Sequence, residues 1–207
     1  FQFTAEDLAA AQLATVGVDL DTMKREGVVE LPDPNFQYGT PKFKTPSGKF
    51  EFSSEAVGAA GLNPAIGWIP RKVTPKDGEF AIVGGKQGIH SHTMTQNIAC
   101  LNAISREYHM ERLWISAQDA EDLGVQTGDT VEVASSEHVG QVEARVTQRL
   151  KPGVVFLPTH YGGDSPVQTR AYQYGIALTD FIPFDMEPGV GSMMSQEVAV
   201  TVKKVEA

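Results

Sequence analysis

Apolar and polar residues alternate with a period of two through most of the second half of the chain, and with a helical period only in short stretches. Thr130 to Ala134 and Val142 to Val146 place an apolar side chain at every second position, as half-buried strands do, and Glu197 to Val205 repeats the pattern. Phe80 to Val83, Leu113 to Ile115 and Val154 to Leu157 are short apolar runs that predict three more strands. Lys151-Pro-Gly153 and Gln126 to Asp129 supply turns between them. Ser116-Ala-Gln-Asp119 predicts a short helix with Ala120 and Leu123 facing inward and Gly124 as its left-handed stop. Many short strands hide their edges best by closing on themselves, so residues 78–207 predict a mainly β fold, a closed barrel with short helices.

The first 77 residues have a different texture and predict a lead-in segment. Thr4-Ala-Glu-Asp7 resembles a capping box, with Leu8, Leu13 and the intervening alanines continuing a helix to about Val16. A second short helix is predicted from Asp19 to Arg25, followed by the Pro-, Asp- and Asn-rich stretch Leu31 to Tyr38. Phe43 to Phe52 predicts two short strands about a turn at Pro46 to Gly48. Ser53 or Ser54 caps a helix ending near Gly61, and Pro64, Pro70 and Pro75 mark a linker.

Composition narrows the function classes. With 207 residues, 41% of them hydrophobic, the chain is long enough for one sizeable domain plus the lead-in. A formal net charge of -9 argues against nonspecific nucleic-acid binding and direct contact with an anionic membrane. No run of apolar residues has the length of a spanning helix, and no leader-like segment opens the chain, which reads as soluble. It starts with Phe1 rather than Met, as a cut-out piece or a processed chain would, and the compartment, bacterial periplasm or cytoplasm, stays open. Cys100 is the single cysteine, which excludes an internal disulfide and a cysteine-rich metal or iron–sulfur site within these residues.

The candidate chemistry is concentrated after the strand at Phe80. Gly84-Gly85 ends that strand and is followed by Lys86, His90, Ser91, His92, Thr93, Thr95 and Asn97 within one loop. The glycines let the backbone turn and approach a bound group, and the hydroxyl, ammonium and imidazole donors suit the oxygens of a phosphate or diphosphate. Asn97 offers a paired donor and acceptor for a purine or ribose edge. His90, His92 and His160 also allow another reading, a three-histidine zinc site of a small hydrolase. A third reading is a free-standing barrel that recognises a protein partner through the same loop. Asp119 and Asp129 read as helix-start and turn residues, and Cys100 as a small buried hydrophobe.

Several stretches in order resemble a known family. They are Asp119-Ala with Leu123-Gly124, Gly128-Asp129 with Val131 and Val133, Val146-Thr147, and Pro152-Gly153-Val154-Val155. Upstream, Thr45-Pro-Ser-Gly48-Lys-Phe-Glu-Phe-Ser53 and the loop Gly84-Gly-Lys86 with His90, His92-Thr93 and Asn97 complete the pattern. Together they are similar to the C-terminal dinucleotide-binding domain of molybdopterin oxidoreductases of the dimethyl-sulfoxide-reductase type. The resemblance implies a double-psi β-barrel, the aspartate-decarboxylase-like architecture. It implies binding of molybdopterin guanine dinucleotide with molybdenum or tungsten, and a metal ligand and iron–sulfur cluster held in other domains. The implied partners are the remaining domains of the same catalytic subunit and an iron–sulfur electron-transfer subunit. Gly84, Gly85, Lys86, His90, Ser91, His92, Thr93, Thr95 and Asn97 match the family's cofactor-binding stretch. Tyr172 and Gln196 are candidates for the second half of the site, where the chain departs from the family by placing Ile176-Ala177 before Leu178-Thr179 and Gln196 in place of a lysine. The expected role is to bind the cofactor within the larger subunit rather than to carry the metal ligand, and the chain alone is expected to be inactive.

Overall fold

A computed structural model describes residues 2–30, 43–65, 67–92, 94–189 and 191–206. The chain divides into two compact units, Phe1–Ile66 and Gly67–Ala207. The division falls earlier than the expected boundary at residues 77 and 78. The reason lies within the second unit: Arg71 Nη2 donates to the Gln196 carbonyl at 2.9 Å, and the Lys72 amide donates to Glu197 Oε2 at 2.6 Å.

In the first unit, α1 (Ala5–Ala14) starts at the expected capping box: Thr4 Oγ1 accepts from the Asp7 amide, and Asp7 Oδ2 accepts from the Thr4 amide at 2.8 Å. Asp19 caps α2 (Leu20–Glu26), and Ser54 caps α3 (Glu55–Ala59). Phe43 to Phe52 is not a hairpin of strands. The turn is present, with the Gly48 amide bonded to the Thr45 carbonyl at 3.0 Å, but the flanks form no ladder. Phe50 packs edge to face against both Phe43 and Phe52, and three exposed rings pack locally more readily than two short flanks pair without a third strand. The Leu31 to Tyr38 stretch lies outside the described residues.

The second unit holds β1 (Glu79–Gly85), α4 (Ala99–Glu107), β2 (Leu113–Ser116), α5 (Ala117–Asp122), β3 (Thr130–Ala134), β4 (Val139–Thr147), β5 (Val154–Pro158) and β6 (Ala199–Lys204). The strands close in the order β1-β5-β2-β4-β3-β6. β1 with β5 and β2 with β4 are parallel, and all other neighbours are antiparallel. Exchanging the first three strands with the last three maps this ring of pairings onto itself, so two similar halves interlock. This is a double-psi β-barrel.

Alternation fills the interior, as it must in a barrel this small. Val131 and Val133 of β3, Leu113 and Ile115 of β2, Val155 and Leu157 of β5, and Val200 and Val202 of β6 point inward and are buried. Val155, not Val154, is the interior residue of β5. A 3₁₀ turn, Leu178–Phe181, seats the fully buried Phe181 edge to face against His138. Ser116 caps α5 as expected, and Gly124 follows with φ of 63°.

Candidate functional site

Because β1 and β5 run parallel, with Gly85 beside Pro158, the loops that leave their C-terminal ends emerge side by side. β6 runs antiparallel to β1, with Ala199 opposite Ala81, so Gln196 enters the barrel at this same end. Topology alone therefore gathers residues 86–98, 159–177 and 196 from three distant parts of the chain.

The first loop brings Lys86 back onto His92, with Lys86 Nζ 3.0 Å from His92 Nε2. From the second loop His160 meets His92, ring centroids 5.2 Å apart. His92 and His160 both take left-handed backbone angles, φ of 53° and 77°. His160 is half-buried, and burial first, then the neighbouring His92, Lys86 and His90, hold its imidazole below the usual range. Among the described residues no carboxylate pairs with Lys86. The result is a corner in which the Lys86 ammonium has no carboxylate counter-ion among the described residues, and it attracts an anion.

His90 and His92 do not share a face. His90 is buried, with Nδ1 3.2 Å from Thr95 Oγ1 and Nε2 bonded to Ser105 Oγ on α4. Burial holds its imidazole below the usual range. Ser105 Oγ also lies 3.3 Å from Tyr161 OH, so one buried hydroxyl ties the first loop to the second. Thr95 Oγ1 accepts from the Ser91 amide at 2.9 Å and folds the loop tip over. With His90 committed to Thr95 and Ser105, the three histidines do not gather as ligands of one ion, which removes the basis of the three-histidine zinc site. Among the described residues His109, Glu111 and Glu143 are the group with that spacing.

Asn97 fastens the first loop to the second, its Oδ1 accepting the Arg170 amide at 2.7 Å and the Ala171 amide at 3.2 Å. From α4, Arg106 Nη2 and Asn102 Nδ2 donate to the Arg170 carbonyl at 2.8 and 3.3 Å. The second loop also closes on itself, Gly162 amide to Tyr174 carbonyl and Gln173 amide to Gly163 carbonyl, each at 2.8 Å. Behind it lies a cleft of about 360 Å³ lined by His160, Gly162, Asp164, Gln168, Thr179 and Asp180.

Gly84 and Gly85 do not turn the chain. Both remain in β1, and the space a Cβ would take is filled by protein: Leu178 Cδ2 at 2.1 Å from the position at Gly84, and Phe156 Cε2 at 2.9 Å from that at Gly85. Their small size serves the packing of the strand that aims the loop. Ser91, His92 and Lys86 are exposed at the loop surface, and Tyr172 is 41% exposed on the second loop. Gln196 is exposed and contributes its carbonyl to Arg71. Thr93 lies outside the described residues. Cys100 is exposed on α4 rather than buried.

Two features escaped the sequence reading. One is α4, whose inward residues Asn102 and Ser105 are polar while the apolar Ile104 faces outward. The other is Gln96, buried between Thr95 and Asn97, whose Nε2 finds no hydrogen-bond partner among the described residues. A buried amide donor left unbonded costs roughly 1–3 kcal/mol. The Lys86 corner, with its ammonium and imidazole donors, fits a phosphate-bearing polar group at this end of the barrel.

The fold thus defines a double-psi barrel domain with a lysine- and histidine-bearing corner at one end. The family described as "Molydopterin dinucleotide binding domain" matches residues 80–192, more than half of the chain, and the chain belongs to that family. The chain is 25% identical over 176 residues to the thiosulfate reductase molybdopterin-containing subunit PhsA of Salmonella typhimurium, covering 84% of this chain and 22% of that protein. It is 34% identical over 91 residues to the F420-dependent formate dehydrogenase subunit alpha of Methanocaldococcus jannaschii, covering 44% and 13%. Against dimethyl sulfoxide reductase DmsA of Escherichia coli the identity is 24% over 162 residues, covering 66% and 19%. The chain therefore spans about a fifth or less of these oxidoreductase subunits. Among solved structures, acetylene hydratase from Pelobacter acetylenicus shares the fold with a TM-score of 0.66 at 13% identity, over 97% of this chain and 29% of that one. Among the described residues no helix is long and apolar enough to cross a membrane.

Proposed function

We propose that this chain is the cofactor-gripping domain of a molybdenum- or tungsten-dependent oxidoreductase, and that it holds the guanine form of the dinucleotide at the C-terminal ends of β1 and β5. The observation that carries the reading is the corner made by Lys86, His92 and His160, in which the lysine ammonium and imidazole donors meet and no carboxylate among the described residues pairs with Lys86. Lys86 and His92 hold the diphosphate, Ser91 adds a hydroxyl donor on the exposed loop, and Thr93 is the further hydroxyl candidate of the same stretch of sequence. Tyr172 and Gln196 border the nucleotide. His90, Thr95 and Asn97 act as positioning residues, because their polar atoms are engaged in holding the two loops together. Gly84 and Gly85 set the line of β1 and so the direction in which Lys86 leaves it.

The bound group supplies redox chemistry at its metal; the residues of this chain bind it, orient it and keep its phosphates neutralised. The metal's protein ligand, any iron–sulfur cluster and the substrate path belong to the remaining domains of the same subunit, and an iron–sulfur electron-transfer subunit is the expected external partner. The chain alone is inactive.

The test uses the full-length subunit carrying Lys86→Ala or His92→Ala, both surface positions whose loss spares the barrel. A charge-assisted hydrogen bond contributes about 1.5–3 kcal/mol, so each substitution lowers cofactor affinity roughly 10- to 100-fold. Metal and pterin content per polypeptide then fall while the melting temperature stays with the parent. Acid release of the nucleotide identifies the base, and elemental analysis distinguishes molybdenum from tungsten. Parental cofactor content in both variants contradicts the assignment.

A further inference from the structure

We propose that His109, Glu111 and Glu143 form a second site, a binding site for a divalent transition-metal ion of the zinc type. His109 and Glu111 lie on the short segment between α4 and β2, and Glu143 on β4 precedes Ala144, which pairs with Leu113 at the start of β2. The parallel β2·β4 pairing therefore delivers the third side chain to the other two. His109 Nδ1 stands 3.8 Å from Glu111 Oε1 and 4.0 Å from Glu143 Oε2, and one donor atom from each residue falls within 4.8 Å of the others. Ligand atoms around a four-coordinate zinc, with bonds of ~2.0–2.2 Å, lie roughly 3.4 Å apart, so closure takes rotamer movements that shorten the separations by about 0.4 to 1.4 Å.

A second observation points to a ligand. Glu111 is only 8% exposed, and a buried carboxylate is retained when both its oxygens are satisfied. Tyr174 OH donates to Oε2, while among the described residues Oε1 receives no hydrogen bond and faces His109. The Arg106 guanidinium is engaged elsewhere: it lies over the Tyr174 ring at 4.1 Å and bonds Asn102 and the Arg170 carbonyl. Glu143 is anchored by Arg112, with Nε at 2.8 Å and Nη2 both on Oε2, the oxygen 4.0 Å from His109 Nδ1, so an ion here shares that oxygen with the guanidinium or takes Oε1. Hydrogen bonds to one oxygen of a carboxylate hold its orientation, the usual support of a metal ligand. The three residues open onto a cavity of about 430 Å³, also lined by Gln141, Gln173 and Tyr174, with room for water at the remaining coordination position. One imidazole and two carboxylates is a nitrogen–oxygen set that suits zinc better than calcium or magnesium.

The test takes the purified chain, stripped with a chelator, and titrates zinc chloride in competition with a chromophoric chelator. The expected result is one zinc per chain, a rise in melting temperature on binding, and an X-ray absorption first shell of nitrogen and oxygen containing one imidazole. His109→Asn keeps a residue that tolerates the φ of 47° at this position and lowers the affinity tenfold or more. Glu143→Gln, at a half-exposed strand position, does the same and gives the comparison independently should His109→Asn perturb the fold. Zinc uptake well below one equivalent, affinity unchanged in both variants, or a first shell with two or more imidazoles overturns the proposal. None of these outcomes depends on the pterin site.

Discussion

Gly84→Ala tests how β1 is seated. The added Cβ falls 2.1 Å from Leu178 Cδ2 and 3.1 Å from Thr159 Cγ2, where carbon atoms ordinarily keep about 3.5–4.0 Å. Gly84 does not have a left-handed φ, so the substitution carries no backbone strain, and the clash is the whole structural effect. Leu178 is 6% exposed and begins the turn that carries Phe181 into the barrel, so it has to move by more than an ångström in a filled core. Overpacking of this kind costs about 1–3 kcal/mol, offset by about 0.4–1 kcal/mol from the lost freedom of glycine in the unfolded chain. The net expectation is a loss of roughly 1–2 kcal/mol, or a melting temperature lower by roughly 2–8 °C. Leu178→Ala alone opens a cavity and costs about 2–5 kcal/mol. In the double variant the new methyl group takes up part of that cavity, so the loss is smaller than the sum of the two by about 0.5–3 kcal/mol. Thermal and urea unfolding of the four proteins measures this. Additive losses, or a Gly84→Ala protein that melts like the parent, refute the packing argument.

Other expectations follow from the same contacts. Ser105→Ala leaves His90 Nε2 and Tyr161 OH without their shared partner and lowers stability by about 1–3 kcal/mol, read from the urea midpoint. Asn97→Ala releases the Arg170 and Ala171 amides, whose hydrogen exchange accelerates, whereas Asn97→Asp keeps the acceptor oxygen and preserves their protection. His90 and His160 both have folded-state pKa values below the ordinary value of about 6.5. Between the folded and unfolded pKa values the unfolded chain binds more protons, so stability rises with pH through that window and is fully present above it. Urea midpoints measured from pH 5 to 8 therefore rise toward neutrality, and His160→Asn, which tolerates the left-handed angle, flattens the slope.

Much of the barrel was legible because alternation reports directly which side of a strand is wet. Val131 and Val133, Val142 and Ala144, and Val198, Val200 and Val202 all lie on the buried side that the pattern assigns them. The caps at Thr4 and Ser116, and one of the pair Ser53 and Ser54, were legible for a similar reason, since a short polar side chain before a helix has one dominant use. α4 was not, because its polar face is the buried one: it packs through Asn102 and Ser105 and leaves Ile104 exposed, the reverse of the usual pattern. At the site the loop could be found from its density of donors, but not the division of labour within it. His90 and His92 are two residues apart and look equivalent in sequence, yet one is locked to Ser105 beneath the loop and the other stands on its surface beside Lys86. The part played by His160 depends on the parallel pairing of β1 and β5, a contact between segments more than 70 residues apart. The glycines misled in a specific way: they suggested a backbone that approaches a ligand, whereas Leu178 and Phe156 occupy the space.

The central claim is that the β1 loop holds a diphosphate between Lys86 and His92. A density map of the intact, cofactor-loaded enzyme tests it most directly. The account predicts phosphate oxygens within about 3 Å of Lys86 Nζ and His92 Nε2, with His160 beside them. A map in which residues 84–97 meet only solvent or another protein surface contradicts it.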